Sequence, residues 1–157
     1  MDADQLETTD NSLLRGGLTI ERVKEAFAKS MIPGKADVSW TRRYYREDVR
    51  FQDSVQTTHG LEAFLGVCER LCERCSELTM EVTDAAHTGN VMIVHWTMTM
   101  SFNGTTSTPI YGSSRLLLDE DGMIYDQRDI YDMWGDTFDV VPVFGKLYRR
   151  FMARFFG

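Results

Sequence analysis

Residues 91–132 read VMIVHWTMTMSFNGTTSTPIYGSSRLLLDEDGMIYDQRDIYD, and their reading decides the fold. Val91 to Phe102 forms one long strand. Asn103-Gly104 is the strongest short hairpin signal a sequence offers. Ile110 to Leu118 returns as the next strand, with Pro109 tolerated just before it. Asp119-Glu120-Asp121-Gly122 turns the chain again, and Met123 to Asp132 makes a third strand. That strand ends in Arg128-Asp129-Ile130-Tyr131-Asp132. A carboxylate on the inner face of a strand is costly to bury, because it must be paired, hydrogen-bonded or protonated. Asp129 is therefore where a functional argument starts.

Upstream, the pattern is helical. Thr19 can cap a helix with Glu21 in its first turn, and Ile20, Val23, Phe27 and Met31 fall on one face. Pro33-Gly34 ends it. A second short helix fits Asp37 to Arg46, with Val38, Thr41 and Tyr45 on one side. Val49 to Asp53 alternates as a short strand, followed by a loop from Ser54 to Gly60. Leu61, Phe64, Leu65, Cys68, Leu71, Cys72 and Cys75 keep helical spacing. Leu78, Met80 and Val82 then alternate with Thr79, Glu81 and Thr83 as a strand that turns at Thr88-Gly89-Asn90. Helices first and antiparallel hairpins after them predict an α+β fold, with helices packed on one face of a curved sheet.

Composition narrows the class. At 157 residues the chain predicts one domain, 18–157, behind a solvated acidic tail over residues 1–17. With 43% hydrophobic residues it can bury a normal core without a disulfide. A net charge of −7 argues against general nucleic-acid binding. No run is apolar and long enough to span a bilayer, and the first residues lack a signal-peptide pattern. A cytoplasmic location with reduced cysteines is the expectation.

The ordered set Asp48-Val49-Arg50-Phe51-Gln52-Asp53, Gly60-Leu61-Glu62-Ala63-Phe64, Trp96-Thr97-Met98, Gly112-Ser113-Ser114, Asp121-Gly122-Met123-Ile124 and Arg128 to Asp132 resembles the nuclear transport factor 2-like superfamily. The resemblance is to its SnoaL-like and ketosteroid-isomerase-like members, over about residues 20–140. It implies a cystatin-like cone: a strongly bent sheet around helices, with an apolar pocket inside. It also implies a homodimer through the outer face of the sheet.

On the resemblance, the pocket holds Trp96, Met98, Ser114, Leu116, Asp129 and Tyr131, joined by Tyr45, and suits a small hydrophobic ligand. Asp53 matches the proton-shuttling base of the isomerases, but the preferred reading is a carboxylate that accepts backbone N–H groups in the loop Ser54 to Gly60. The isomerase oxyanion hole is incomplete: its carboxylic acid falls on Ser114, and its helix Tyr is missing near Phe27 to Lys29. Asp129 matches the first Asp of the limonene-epoxide-hydrolase triad, whose other two members fall on Trp96 and Met98. Asp129 is thus a paired anchor or a poised acid, with Tyr44, Tyr45, Arg43 and His95 as candidate partners. Two function classes stay open: a cofactor-independent enzyme using Asp53 or Asp129, and a pocket protein that binds an apolar metabolite without turnover. A third is an interaction protein with a purely structural cavity.

Other signals are weaker than they look. Cys68, Cys72 and Cys75 have the spacing of a radical S-adenosylmethionine cluster motif, but they lie in line with the apolar face of a helix and read as core. His59 reads as a loop residue and His95 as an outer-face residue. No metal site and no cofactor are expected. The stretch 142–156 is a basic amphipathic helix, for which docking on the cone is preferred to membrane contact.

Overall fold

A computed structural model of the chain describes residues 18–102, 108–138 and 143–156. The expected tail over 1–17 and the Asn103-Gly104 turn lie outside the described residues. Helix α1 (Ile20–Ser30) starts where Thr19 Oγ1 accepts the Arg22 N–H at 3.3 Å. It buries Val23, Ala26 and Phe27. A two-stranded ribbon, β1 (Met31–Ile32) and β2 (Lys35–Ala36), follows. Helix α2 (Ser39–Tyr44) is shorter than the spacing predicts. Tyr45 leaves the helix and opens strand β3 (Tyr45–Gln52). The expected loop after it holds a short edge strand, β4 (Thr57–His59), paired with β3, so His59 is an exposed strand residue.

Helix α3 (Leu61–Arg74) buries Leu61, Phe64, Leu65 and Cys72. Cys72 and Cys75 pack in the core, with Cys72 Sγ 3.9 Å from Met31 Sδ. Strands β5 (Cys75–Thr88), β6 (Val91–Phe102), β7 (Thr108–Leu118) and β8 (Ile124–Tyr131) pair in succession, each antiparallel to the one before. Between β7 and β8, Asp119 Oδ1 accepts the N–H groups of Asp121 and Met123, and Gly122 takes a positive φ of 78°.

The six-stranded sheet runs β4-β3-β8-β7-β6-β5, and β3 joins β8 in parallel. That parallel pair breaks the expected run of hairpins. It also sets Gln52 opposite Arg128, so the next residues along, Asp53 and Asp129, arrive side by side at one end of the sheet. Helices and the inner face enclose the core, where Tyr45, Phe51 and Phe64 meet Met92, Val94 and Ile124. A π-helical turn (Met133–Phe138) and helix α4 (Phe144–Phe156) close the chain. Helix α4 contacts the π-helical turn just before it and leaves Leu147, Phe151 and Phe155 exposed. No described helix is long and apolar enough to cross a membrane.

Candidate functional site

The site is assembled from β6, β7 and β8 on one side and β3 on the other. Strand parity delivers its inner wall: Trp96, Met98, Ser114 and Leu116 are all buried, as the alternation predicts. Trp96 lies flat across Gly112, its register partner on β7. A Cβ on Gly112 would sit 2.2 Å from Trp96 Cη2, so only glycine allows the indole to cross there. In that position Trp96 Nε1 donates to Ser114 Oγ at 2.9 Å.

An indole N–H can only donate, so Ser114 Oγ is the acceptor and its own hydrogen is free to point onward. It donates to Asp129 Oδ1 at 2.6 Å. From the other side, Gln127 Nε2 donates to the same oxygen at 2.9 Å. Gln127 is held in that sense by the buried Tyr45 hydroxyl, which donates to Gln127 Oε1. Two chains of donors, Trp96–Ser114 and Tyr45–Gln127, therefore converge on Asp129 Oδ1. Asp129 Oδ2 has no hydrogen-bond partner among the described residues.

Electrostatics follow from this geometry. Burial pushes the Asp129 carboxyl up to about 6, against the opposing pull of the Ser114 and Gln127 hydrogen bonds, and the nearby Asp53 charge adds to the rise. Burial also raises Tyr45, helped by the Asp129 charge, so its hydroxyl stays protonated and donating. Cys68 is pushed up to about 12 by burial, with Cys72 and Asp129 adding to it, and remains an unreactive thiol.

Asp53 is held differently. Its Oδ1 accepts the N–H groups of Val55 at 2.8 Å and Gln56 at 2.7 Å, which is the loop-closing role. Its Oδ2 accepts the Tyr131 hydroxyl at 3.3 Å. Burial and the Asp53 charge together raise Tyr131 above its ordinary value. The Tyr131 ring lies 6.1 Å from that of Trp96, so Asp53, Tyr131, Trp96 and Asp129 form one neighbourhood.

The candidate partners of Asp129 need correction. Arg43 lies over the Tyr44 ring, and Tyr44 packs against Trp40. His95 is on the exposed outer face. Tyr45 acts one step removed, through Gln127. Gln127 itself was not singled out from the sequence, although it shares the parity of Asp129 and Tyr131. Its signal was a polar side chain at an inward position, which needs a partner.

Neither of two cavities found at the surface of the described residues includes Asp129. One, of about 430 Å3, lies between α1 and α2 and includes Arg22, Lys29, Trp40 and Arg43. The other, of about 540 Å3, is a shallow groove on the outer sheet face at His95, Tyr111, Ser113 and Ile130. Among the described residues no group of three or more His, Cys, Asp or Glu is arranged to hold a metal ion.

A search among curated proteins gives no sequence match. Solved structures do match. A protein of Jannaschia sp. CCS1, assigned to the SnoaL-like polyketide cyclases, superposes with a TM-score of 0.65 at 18% identity, over 79% of this chain and 91% of that one. A protein with a ketosteroid isomerase-like fold from Catenulispora acidiphila DSM 44928, in complex with trimethylamine, gives 0.63 at 18% identity, over 74% and 88%. An LEH-like epoxide hydrolase of M. tuberculosis gives 0.61 at 15% identity, over 82% and 94%. At these identities the likeness is one of fold, and it is the α+β cone expected from the sequence. Residues 22–127 match the SnoaL-like domain family, so the chain belongs to that family.

Proposed function

We propose that this protein is a cofactor-independent proton-transfer enzyme acting on a small, hydrophobic, oxygenated substrate, with Asp129 as the proton-carrying group. One observation carries the reading: among the described residues, both hydrogen bonds to Asp129 end on Oδ1, leaving Oδ2 to take and return a proton. A carboxyl raised to about 6 is well matched to shuttling near neutral pH. Asp53, with Tyr131, stands beside it as the second carboxylate. The fold-mate assigned as a polyketide cyclase is consistent with such chemistry. The experiment is solvent-deuterium incorporation into a panel of cyclic ketones and enones, followed by NMR. The wild type is expected to exchange α-protons, with a rate rising through about pH 6, and Asp129→Asn to lose on the order of 100-fold or more. Equal exchange by both proteins would refute the assignment.

A second reading is a pocket protein that holds an apolar metabolite without turnover. It is favoured by the inner wall, where Trp96, Met98 and Leu116 are apolar and buried. Native mass spectrometry of freshly purified protein separates the two: a discrete retained mass with no exchange activity supports binding alone.

The reading includes a homodimer through the outer sheet face. Exposure of Tyr111 and Ile130 on neighbouring strands, at 61% and 59%, supports it. Ile130→Arg is expected to shift the protein to monomer in sedimentation velocity; an unchanged species would remove this face from consideration.

A further inference from the structure

Helix α4 carries a pattern the site does not use. Its sequence, FGKLYRRFMARFF, holds Lys146, Arg149, Arg150 and Arg154 and no acidic residue, in a chain of net charge −7. Leu147, Phe151 and Phe155 recur every fourth residue and form one stripe along the helix. They are 64%, 56% and 63% exposed. The Phe151 and Phe155 rings pack on each other with centroids 4.6 Å apart. A different line, Gly145, Tyr148 and Met152, is the less exposed side of the helix. Resting on the π-helical turn therefore accounts for one side of α4 and leaves the apolar stripe unexplained. Arg150 and Arg154, both exposed, border that stripe.

Apolar side chains of this size gain from leaving water, and the arginines beside them select what receives them. The receiving surface must be apolar within and negatively charged at its boundary. We infer that α4 docks on an anionic lipid surface, with Leu147, Phe151 and Phe155 inserted at headgroup depth and Arg150 and Arg154 on the anionic headgroups. The helix lies flat, because at about 20 Å it is too short to span a bilayer. The rest of the chain is acidic and is repelled by the same surface. Binding is thus reversible, confined to α4 and weakened by salt.

The test is co-sedimentation of the full chain with vesicles of phosphatidylcholine, with and without phosphatidylserine. The protein is expected to pellet with the phosphatidylserine vesicles and not with phosphatidylcholine alone, and to be released by high salt. Replacing Arg150 and Arg154 by Glu is expected to weaken binding at least about tenfold. Phe151→Glu with Phe155→Glu should abolish it, while the Leu versions of both retain it. All three variants should keep the wild-type melting temperature, since the replaced side chains are exposed. A folded wild type that stays in the supernatant, or a Glu variant that binds equally well, would overturn the inference. So would self-association lost in Phe151→Glu without any vesicle binding, which would assign the stripe to a second copy of this chain.

Discussion

At the scale of the residue, the protein invests its inner polar groups in a single oxygen. Ser114 and Gln127 both donate to Asp129 Oδ1. An Asn at this position keeps that acceptor and places its amide where Oδ2 was, while removing the ionisation that burial disfavours. The folded-state value of Asp129, about 6, lies above its ordinary 3.8. The stabilising contribution of its protonated form is therefore complete below pH 3.8 and is lost as pH rises through about 6. Asp129→Asn is accordingly expected to be more stable than the wild type at pH 8, by about 2 kcal/mol, and to lose that advantage by pH 4. Urea denaturation at the two pH values checks it. The sequence placed Asp129 inward by parity alone. It could not rank its partners, because hydrogen bonding between strands depends on register, and register is set by pairing that single residues do not encode.

At the scale of the element, register and bulges explain what alternation missed. Ile124 and Gln127 are both buried on β8, which unbroken alternation forbids. The register steps from Leu118–Ile124 to Leu117–Asp126, so one extra residue, Tyr125, resets the parity before Gln127. Tyr45 has a similar history. Its spacing from Val38 and Thr41 suits a helix, yet it opens β3, and its hydroxyl reaches Gln127 from there. Tertiary pairing with β8 outweighs local propensity at that boundary. The Gly112-Ser113-Ser114 motif was legible as sequence, and its reason is now physical: Gly112 clears the path for Trp96, and Ser114 receives it. Gly112→Ala is expected to displace the buried indole, break its bond to Ser114 and cost about 1–3 kcal/mol in urea denaturation.

At the scale of the whole molecule, the α+β cone was readable because three consecutive strands and the helices before them carry strong local periodicity. The parallel β3–β8 pair was not readable, since it joins segments far apart in sequence. Yet that pair decides the site, for it carries Asp53 to Asp129. The charge distribution has the same global character. Acidic residues dominate the chain, while α4 is purely basic among its charged groups. The Asp129 cluster and the terminal helix are separate features of one scaffold, and variants of α4 are expected to leave the titration of Asp129 unchanged.

The most direct measurement is an NMR titration of the Asp129 side-chain carboxyl carbon, assigned by comparison with Asp129→Asn. A partly buried carboxyl held by Ser114 and Gln127 should titrate at about pH 6. A midpoint near 3.8, the ordinary value, would mean that water reaches Asp129 freely and that it is not a poised proton carrier.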